Sequence, residues 1–192
     1  MKKAVSVLVF LSCLFIMTAA LAAPGGEAKV SQKKVVIVPF INSTEETKEY
    51  IGQTINEKFK EQFSGDKYEI TSDAIVQPIL VVNGYDATNN ELADNALLMN
   101  LAKETDADYV IAMEILHFIN SRHASFFSTS AKSEVKLRYK VYSKGNDKVT
   151  TFQVVGKGNN KVTSIGVPGI GTAMKRGIDE AMDEAFVKIE KL

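Results

Sequence analysis

An unbroken apolar run, Val-Val-Ile-Val-Pro-Phe at residues 35–40, is the feature that most restricts the fold of this 192-residue chain. Its β-branched residues favour a strand, and its lack of polar alternation indicates a strand buried on both faces. Such strands lie beside parallel neighbours, and helices cover them. Pro39 has no backbone donor and predicts the end of the ladder. The chain is therefore expected to form a sheet with helices packed against it.

Two helices are predicted between this strand and the middle of the chain. Ser43 and Glu46 form a capping box for the first, whose buried side repeats every four residues. The repeating residues are Ile51, Ile55, Phe59 and Phe63. Thr88 and Glu91 form a capping box for the second helix, which is expected to end near Thr105. Its buried side is expected at Leu92, Ala96, Met99, Leu101 and Ala102.

The remaining segments complete a mixed sheet. A short strand is predicted over residues 67–72 and a third strand over 107–118, whereas residues 73–86 fit either a short helix broken at Pro78 or an irregular packed segment. Residues 133–143 alternate cleanly and pair through a turn at 144–147 with 148–158, and 160–165 are a candidate for a further strand. The inward residues of the alternating strand are Val135, Leu137, Tyr139 and Val141. A final helix runs from about Thr172 to Leu192 and buries Met174, Ile178, Met182, Ala185 and Ile189.

The order of these elements predicts the fold class and the domain organisation. It reads βαβαβ, then an antiparallel β meander, then a C-terminal helix. This is a mixed α/β (α+β) sheet in a single layered domain over residues 34–192. Residues 23–33 are small, polar and charged and are expected to form a flexible leader.

The first 22 residues have the pattern of a secretory signal peptide. Lys2 and Lys3 precede an apolar core, and small residues favour cleavage after Ala22. An uncleaved anchor is the alternative, because the apolar stretch approaches membrane-spanning length. The only cysteine, Cys13, lies inside that stretch and is interpreted as a small hydrophobe rather than a lipid-attachment site. We expect a cysteine-free exported protein, periplasmic or at the cell surface, with no transmembrane span after cleavage.

Charge argues against a nucleic-acid partner. Without Lys2 and Lys3 the basic count falls from 23 to 21 against 23 acidic residues, which is a net charge of about −2. Nucleic-acid binding usually requires a basic excess.

Glycines at 166, 169 and 171 precede the last helix and raise the question of a phosphate-binding loop. Their G-x-x-G-x-G spacing matches neither the dinucleotide fingerprint nor the P-loop. We interpret them as a plain connection. Binding of a small anion or ligand at residues 166–176, assisted by Lys175 and Arg176, is kept as an alternative.

Other candidate chemistry centres on Glu114, His117 and His123. Strand alternation places Glu114 and His117 on opposite faces, so neither a metal nor another cofactor is predicted. Glu114, among apolar neighbours, is expected to pair with a lysine. His123 lies in a serine-rich polar loop, so a Ser/His hydrolase near residues 117–133 is the enzymatic alternative. The sequence around this loop identifies no acidic residue that could orient the histidine, so a non-enzymatic protein is preferred.

The same loop offers candidates for partner binding. Two adjacent phenylalanines in a polar connection either form a lid over the sheet edge or serve as exposed anchors. A row of cations on the alternating strand is either a solvated face or a strip for anionic glycans, lipid or an acidic protein. The candidate partner-binding residues are Arg122, Phe126, Phe127, Lys136, Arg138 and Lys140.

Short motifs in this element order resemble a bacterial envelope superfamily, that of CsgG, the penicillin-binding-protein activator LpoB and the TolB amino-terminal domain. The motifs are Pro39-Phe40, Asn42, Ala-Asp-Tyr-Val at 107–110 and the alanine-rich helix around Ala181 and Ala185. The resemblance covers most of residues 34–192. It implies an envelope accessory protein that binds a protein or assembly, without catalytic residues. The chain lacks a lipid-attachment cysteine and CsgG-like amphipathic hairpins, which favours an exported adaptor over a channel and leaves homo-oligomerisation open.

Overall fold

The computed structural model describes residues 31–124, 128–162 and 167–192. The predicted signal peptide and most of the predicted leader lie outside them, as do Phe126 and Phe127. In chain order the elements are β1 (Lys33–Ile37), β2 (Ile41–Asn42), α1 (Glu49–Gln62), β3 (Tyr68–Ile70), α2 (Asp73–Val82), a 3₁₀ turn (Ala87–Asn89), α3 (Asn95–Thr105), β4 (Tyr109–Ala124), β5 (Thr129–Ser143), β6 (Lys148–Val162) and α4 (Ile170–Ile189). This order confirms the predicted mixed α/β architecture.

The sheet has a short parallel half and a long antiparallel half. Its strand order is β3-β1-β4-β5-β6, with β2 paired to β4 beyond the end of β1. β1 is parallel to both β3 and β4. β4, β5 and β6 form the predicted meander through two long antiparallel ladders. The parallel half carries the crossover helices, and the antiparallel half projects past them.

Helices pack on both faces of the sheet around β1. Val35 belongs to the core beneath α1 and α4, whereas Val36 belongs to the core beneath α2 and α3. This alternation confirms that β1 is buried on both faces. The predicted inward residues of α1, β5 and α4 are all buried in the first core. Within the described ranges, no helix is both long enough and apolar enough to cross a bilayer.

Both predicted capping boxes are wrong. α1 begins at Glu49, and its N-cap residue Lys48 makes no side-chain cap. Ser43 instead directly follows β2 and is bonded to β4, because its N–H donates to the Ile115 carbonyl at 3.1 Å. α3 begins at Asn95, where the Asp94 carboxylate accepts from the Leu97 N–H at 2.7 Å. In both places the true helix start lies several residues beyond the predicted one.

The later start of α3 also changes its buried side. Leu97, Leu98, Leu101 and Ala102 face the core, whereas Met99 is 45% exposed and Ala96 is exposed as well. Leu101 and Ala102 were therefore predicted correctly, and Ala96 and Met99 were not.

α2 runs through Pro78 without a break. Pro78 removes one helical N–H and leaves the Ala74 carbonyl without its usual donor. Both residues are exposed, so water can hydrate that carbonyl. The first of the two alternatives for residues 73–86, a short helix, is therefore correct, although the predicted break is absent.

Two strands are longer than predicted. β4 continues to Ala124, with a β-bulge between Ile115 and His117 that shifts its register against β5. β6 continues to Val162, so residues 160–162 extend that strand instead of starting another. The connection between β4 and β5 is correspondingly short, because Ala124 still pairs with Thr129.

Glycines bring the backbone of α4 very close to the sheet. A Cβ added to Gly158 would lie 1.7 Å from the Ala173 carbonyl oxygen, and one added to Gly156 would lie 1.9 Å from that of Gly177. Gly177 itself faces Val135, whose Cγ2 would lie 2.9 Å from an added Cβ. The helix and β6 are therefore in contact through main chain at two successive turns of α4.

α4 also flanks the outer edge of β6, the last strand of the sheet. The Lys157 N–H donates to the Glu180 carboxylate at 2.7 Å. The Lys188 ammonium donates to the Gln153 carbonyl at 3.2 Å, and the Arg176 guanidinium donates to the Asn159 carbonyl. Side chains of one helix thus occupy backbone groups along an otherwise unpaired edge.

Two buried serines of β5 should respond oppositely to replacement by alanine. The Ser143 hydroxyl donates to the Leu192 carbonyl at 3.2 Å, whereas the Ser133 hydroxyl has no hydrogen-bond partner in the described part of the chain. A buried hydroxyl without a partner costs free energy. We expect Ser133→Ala to raise the free energy of unfolding by up to about 1 kcal/mol and Ser143→Ala to lower it by about 1 kcal/mol. Urea denaturation of both variants would measure the difference, and equal losses would contradict the assignment.

Candidate docking surface

The antiparallel half of the sheet presents one face that none of the described helices covers. α4 packs on the opposite side of this half, and the core of α2 and α3 reaches only the inner rows around Ala112 and Tyr142. We call the remaining surface the open face. It consists of His117, Ile119, Ser121, His123, Ser130, Lys132, Glu134, Lys136, Val155, Lys157, Asn159 and Lys161.

The register of the two ladders arranges the open face in four cross-strand rows. Residues directly opposite each other in antiparallel strands share a face and lie side by side. From the inner row outward, the rows are His117–Lys136–Val155, Ile119–Glu134–Lys157, Ser121–Lys132–Asn159 and His123–Ser130–Lys161. Each row therefore contains one lysine.

The open face is strongly cationic. Its four lysines and one glutamate give a formal charge of four minus one, or +3, with both histidines neutral. The whole 192-residue chain has a formal net charge of +0, so positive charge is concentrated here. Glu134 neutralises little of it, because its carboxylate lies 3.9 Å from the Lys157 ammonium and the two side chains are 38% and 74% exposed.

Two exposed aliphatic side chains lie among these charges. Ile119 is 57% exposed and Val155 is 37% exposed, and they occupy adjacent rows. Lys136 and Lys157 belong to the same two rows. Ile119 on β4 and Val155 on β6 are separated by Lys136 and Glu134 of β5, so apolar and charged side chains are interspersed on the open face.

A buried ion pair closes the inner end of the open face. Glu114 is only 4% exposed and accepts hydrogen bonds from the Arg138 Nε at 2.8 Å, from the Arg138 Nη2 and from the Ser43 hydroxyl at 2.7 Å. The expected pairing of Glu114 is confirmed, but its partner is an arginine rather than a lysine. Because these contacts tie β2, β4 and β5 together, Arg138 has a structural role.

The predicted partner-binding residues do not form one surface. Lys136 lies on the open face, whereas the Lys140 ammonium is held by the Ala93 carbonyl at 2.8 Å. Arg122 lies on the opposite face, because it pairs with Ala131, which is fully buried on the α4 side. Phe126 and Phe127 lie outside the described residues. Partner binding by the predicted residues stays a prediction.

The β-bulge overturns the predicted separation of Glu114 and His117. Beyond the bulge the alternation is shifted by one residue, so Glu114 pairs with Arg138 and His117 with Lys136, two residues away on the same face of β5. Phe118 consequently joins the core on the α4 side instead of sharing a face with Glu114. In the part of the chain that the structure describes, no group of three or more His, Cys, Asp or Glu side chains is arranged to hold a metal.

The two alternative sites also have definite positions. His123 belongs to β4 rather than to a loop, and its cross-strand neighbours are Ser130 and then Lys161. The hydrolase hypothesis therefore rests on His123 and Ser130. Their cross-strand row also contains Lys161 and contains no carboxylate. Ser133, by contrast, is buried on the other face.

The glycine connection leads into α4, whose N-cap residue is Gly169. Gly171 packs against Tyr50, since an added Cβ would lie 3.3 Å from its ring. The Lys175 ammonium lies 5.6 Å from the centre of the same ring, and Arg176 is bonded to β6. Burial raises the pKa of the Tyr50 phenol, with a contribution from Glu46. Gly166 lies outside the described residues, and the anion-site hypothesis is untested.

Sequence reasoning missed most of the open face. Lys132 lies in a stretch predicted as loop, Lys161 in a candidate for a separate strand, and Ile119 beyond the predicted end of its strand, whereas Lys157 lies in a predicted strand to which no function was assigned. A signal for them exists, because polar residues recur at every second position through Ser130, Lys132, Glu134 and Lys136 and again through Lys157, Asn159 and Lys161. Only the strand register, however, places these two stretches beside each other and beside β4.

Comparison with known proteins gives distant similarities alone. No protein-family model matches the chain, and no curated protein matches it significantly. The chain is similar to the solved structure of a hypothetical protein from Chlamydia trachomatis, at 16% identity and a TM-score of 0.48, over 84% of this chain and 95% of that one. It is also similar to a lipoprotein from Neisseria meningitidis, at 14% identity and a TM-score of 0.43, over 83% and 99% of the two chains. A third is the LpoB C-terminal domain from Salmonella enterica, at 8% identity and a TM-score of 0.38, over 67% and 85%. All three fall below a TM-score of 0.5, so the similarities assign no function.

Proposed function

We propose that this protein is an exported, non-enzymatic accessory protein of the bacterial envelope that binds an acidic protein partner through the open face. Export is supported by the signal-peptide pattern of residues 1–22. The observation that carries the binding proposal is the concentration of four lysines on an uncovered sheet face that also exposes Ile119 and Val155.

An acidic protein surface suits this face better than a purely ionic ligand. Lysines attract and orient a negatively charged partner, which raises its association rate. The two exposed aliphatic residues would gain stability only against an apolar patch, which a folded or extended acidic polypeptide can supply. The complementary surface therefore combines carboxylates with apolar side chains.

Charge reversal on the open face should weaken the binding of an acidic peptide. The probe is a fluorescent peptide of alternating glutamate and leucine, measured by anisotropy with wild-type protein and with Lys132→Glu/Lys157→Glu. Both lysines are exposed, so folding should be retained. We expect the affinity of the double variant to fall by about tenfold or more and the wild-type affinity to fall with added salt.

The matched control carries the same charge change elsewhere. Lys103→Glu/Lys191→Glu reverses two exposed lysines outside the open face. It should bind like the wild type. Equal losses in both variants would indicate an effect of net charge alone and contradict the proposed surface, as would equal retention in both.

A further inference from the structure

A second candidate site lies at the carboxyl ends of β1 and β3. From β1 the chain passes through α1 to β3 on one side, and then through α2 and α3 to β4 on the other side of β1. The connections therefore diverge at the end of β1. In open α/β sheets this topological switch point is where a crevice forms and ligands bind. Here the crevice holds about 570 Å³ and opens between α1 and α2.

The crevice has an apolar floor and a polar rim. Ile37, Phe40, Phe59 and Ile70 form the floor, and the exposed Asn56 of α1 lies at the rim. Ile37, Phe40 and Ile70 remain only partly buried, although they pack against the core beneath α1. An apolar group that entered the crevice would cover them.

The main chain of Ile37 is open toward this crevice. Successive residues of β1 direct their main-chain N–H and carbonyl groups alternately to β3 and to β4. The ladder with β3 ends at the hydrogen bond from the Thr71 N–H to the Val35 carbonyl. Val38, on the other side, donates to the Ile111 carbonyl of β4. Ile37 is the next residue that faces β3, and its N–H and carbonyl have no hydrogen-bond partner among the described residues.

We infer that the crevice binds an extended peptide segment that continues the β3 ladder alongside Ile37 and carries one large apolar side chain. A parallel strand places a carbonyl and an N–H on either side of one residue, which matches the free N–H and carbonyl of Ile37. The residue between them would share the face of Ile37 and Ile70, and its side chain would point toward Phe40 and Phe59. This site shares no residue with the open face and does not depend on the function proposed for it.

A minimal probe that has a carbonyl and an N–H on either side of one large apolar residue is N-acetyl-phenylalanine N-methylamide. Its acetyl carbonyl can accept from the Ile37 N–H, and its methylamide N–H can donate to the Ile37 carbonyl. N-acetyl-phenylalanine methyl ester has the same shape but lacks that donor. In a titration followed by NMR, we expect the amide to shift the resonances of Ile37, Thr71 and Ser72, and the ester to bind about fivefold more weakly.

A variant that fills the crevice tests the location. Asn56→Trp at the rim should remove the shifts, whereas Gln53→Trp, on an exposed position of the same helix outside the crevice, should keep them. Folding of both variants is checked by their amide spectra. Equal binding of amide and ester, shifts that survive Asn56→Trp, or shifts at other residues would each overturn the proposal, as would no binding of either probe.

Discussion

Gly158→Ala is expected to lower the free energy of unfolding by about 3 kcal/mol or more. Overfilling a packed interface usually costs about 1–3 kcal/mol when side chains can move aside. Here the added Cβ would meet a backbone carbonyl oxygen at 1.7 Å, so the main chain of α4 must move. Because α4 covers the core of β4, β5 and β6, its displacement also exposes apolar surface. Urea denaturation followed by circular dichroism would measure the loss.

Gly145→Ala is the matched control for this prediction. Gly145 lies in the turn between β5 and β6, where an added Cβ would meet only the Ser143 hydroxyl at 3.9 Å. Its replacement should change the free energy of unfolding by less than about 0.5 kcal/mol. A Gly158→Ala protein as stable as Gly145→Ala would show that α4 does not approach β6 as described.

Arg138→Ala is expected to lower the free energy of unfolding by about 3 kcal/mol at neutral pH. The Glu114 side chain is 6% exposed, and removal of Arg138 would leave its carboxylate with the Ser43 hydroxyl as its remaining described partner. Breaking a buried pair by deleting one partner typically costs about 3–5 kcal/mol. The lower end applies because the Arg138 side chain is 39% exposed, which allows water to reach the vacated position.

Two further variants separate this charge effect from lost packing. Glu114→Leu/Arg138→Leu removes both charges and should recover most of the stability, since well-packed apolar replacements of buried pairs are often neutral. Lys144→Ala breaks the exposed pair with Asp106, whose side chains are 50% and 75% exposed, and should cost less than about 1 kcal/mol. A double variant no more stable than Arg138→Ala would refute the buried-charge explanation.

The parts of the fold that the sequence predicts well are those with a strong local period. The four-residue repeat of α1, the apolar face of α4 and the alternation of β5 each correspond to buried residues in the structure. In these elements burial follows directly from the helical or pleated geometry of one segment. No distant contact competes with that pattern.

Errors arose where a distant contact outweighed a local signal. Ser43 has the spacing of a helix cap, but its hydroxyl donates to Glu114, 71 residues away, so α1 starts later. The bulge next to Leu116 reverses the alternation of the rest of β4 and cannot be read from its apolar run. The faces of His117 and Phe118 were wrong for that reason alone.

The candidate site depends even more on tertiary register. Lys136, Val155 and His117 become neighbours only because three strands pair in one particular alignment. Each residue taken singly resembles an ordinary exposed strand position. The cationic strip predicted on β5 located one strand of the open face, but two of its three members, Arg138 and Lys140, are bonded within the protein.

The hydrogen bonds from α4 to the margin of β6 bear on how copies of this protein could assemble. A second molecule that tried to extend the sheet there would first have to displace Arg176, Glu180 and Lys188 from their main-chain partners. Extension of the sheet from molecule to molecule by strand pairing at this edge is therefore disfavoured. If copies do associate, contact between folded surfaces is therefore favoured over strand addition at this margin.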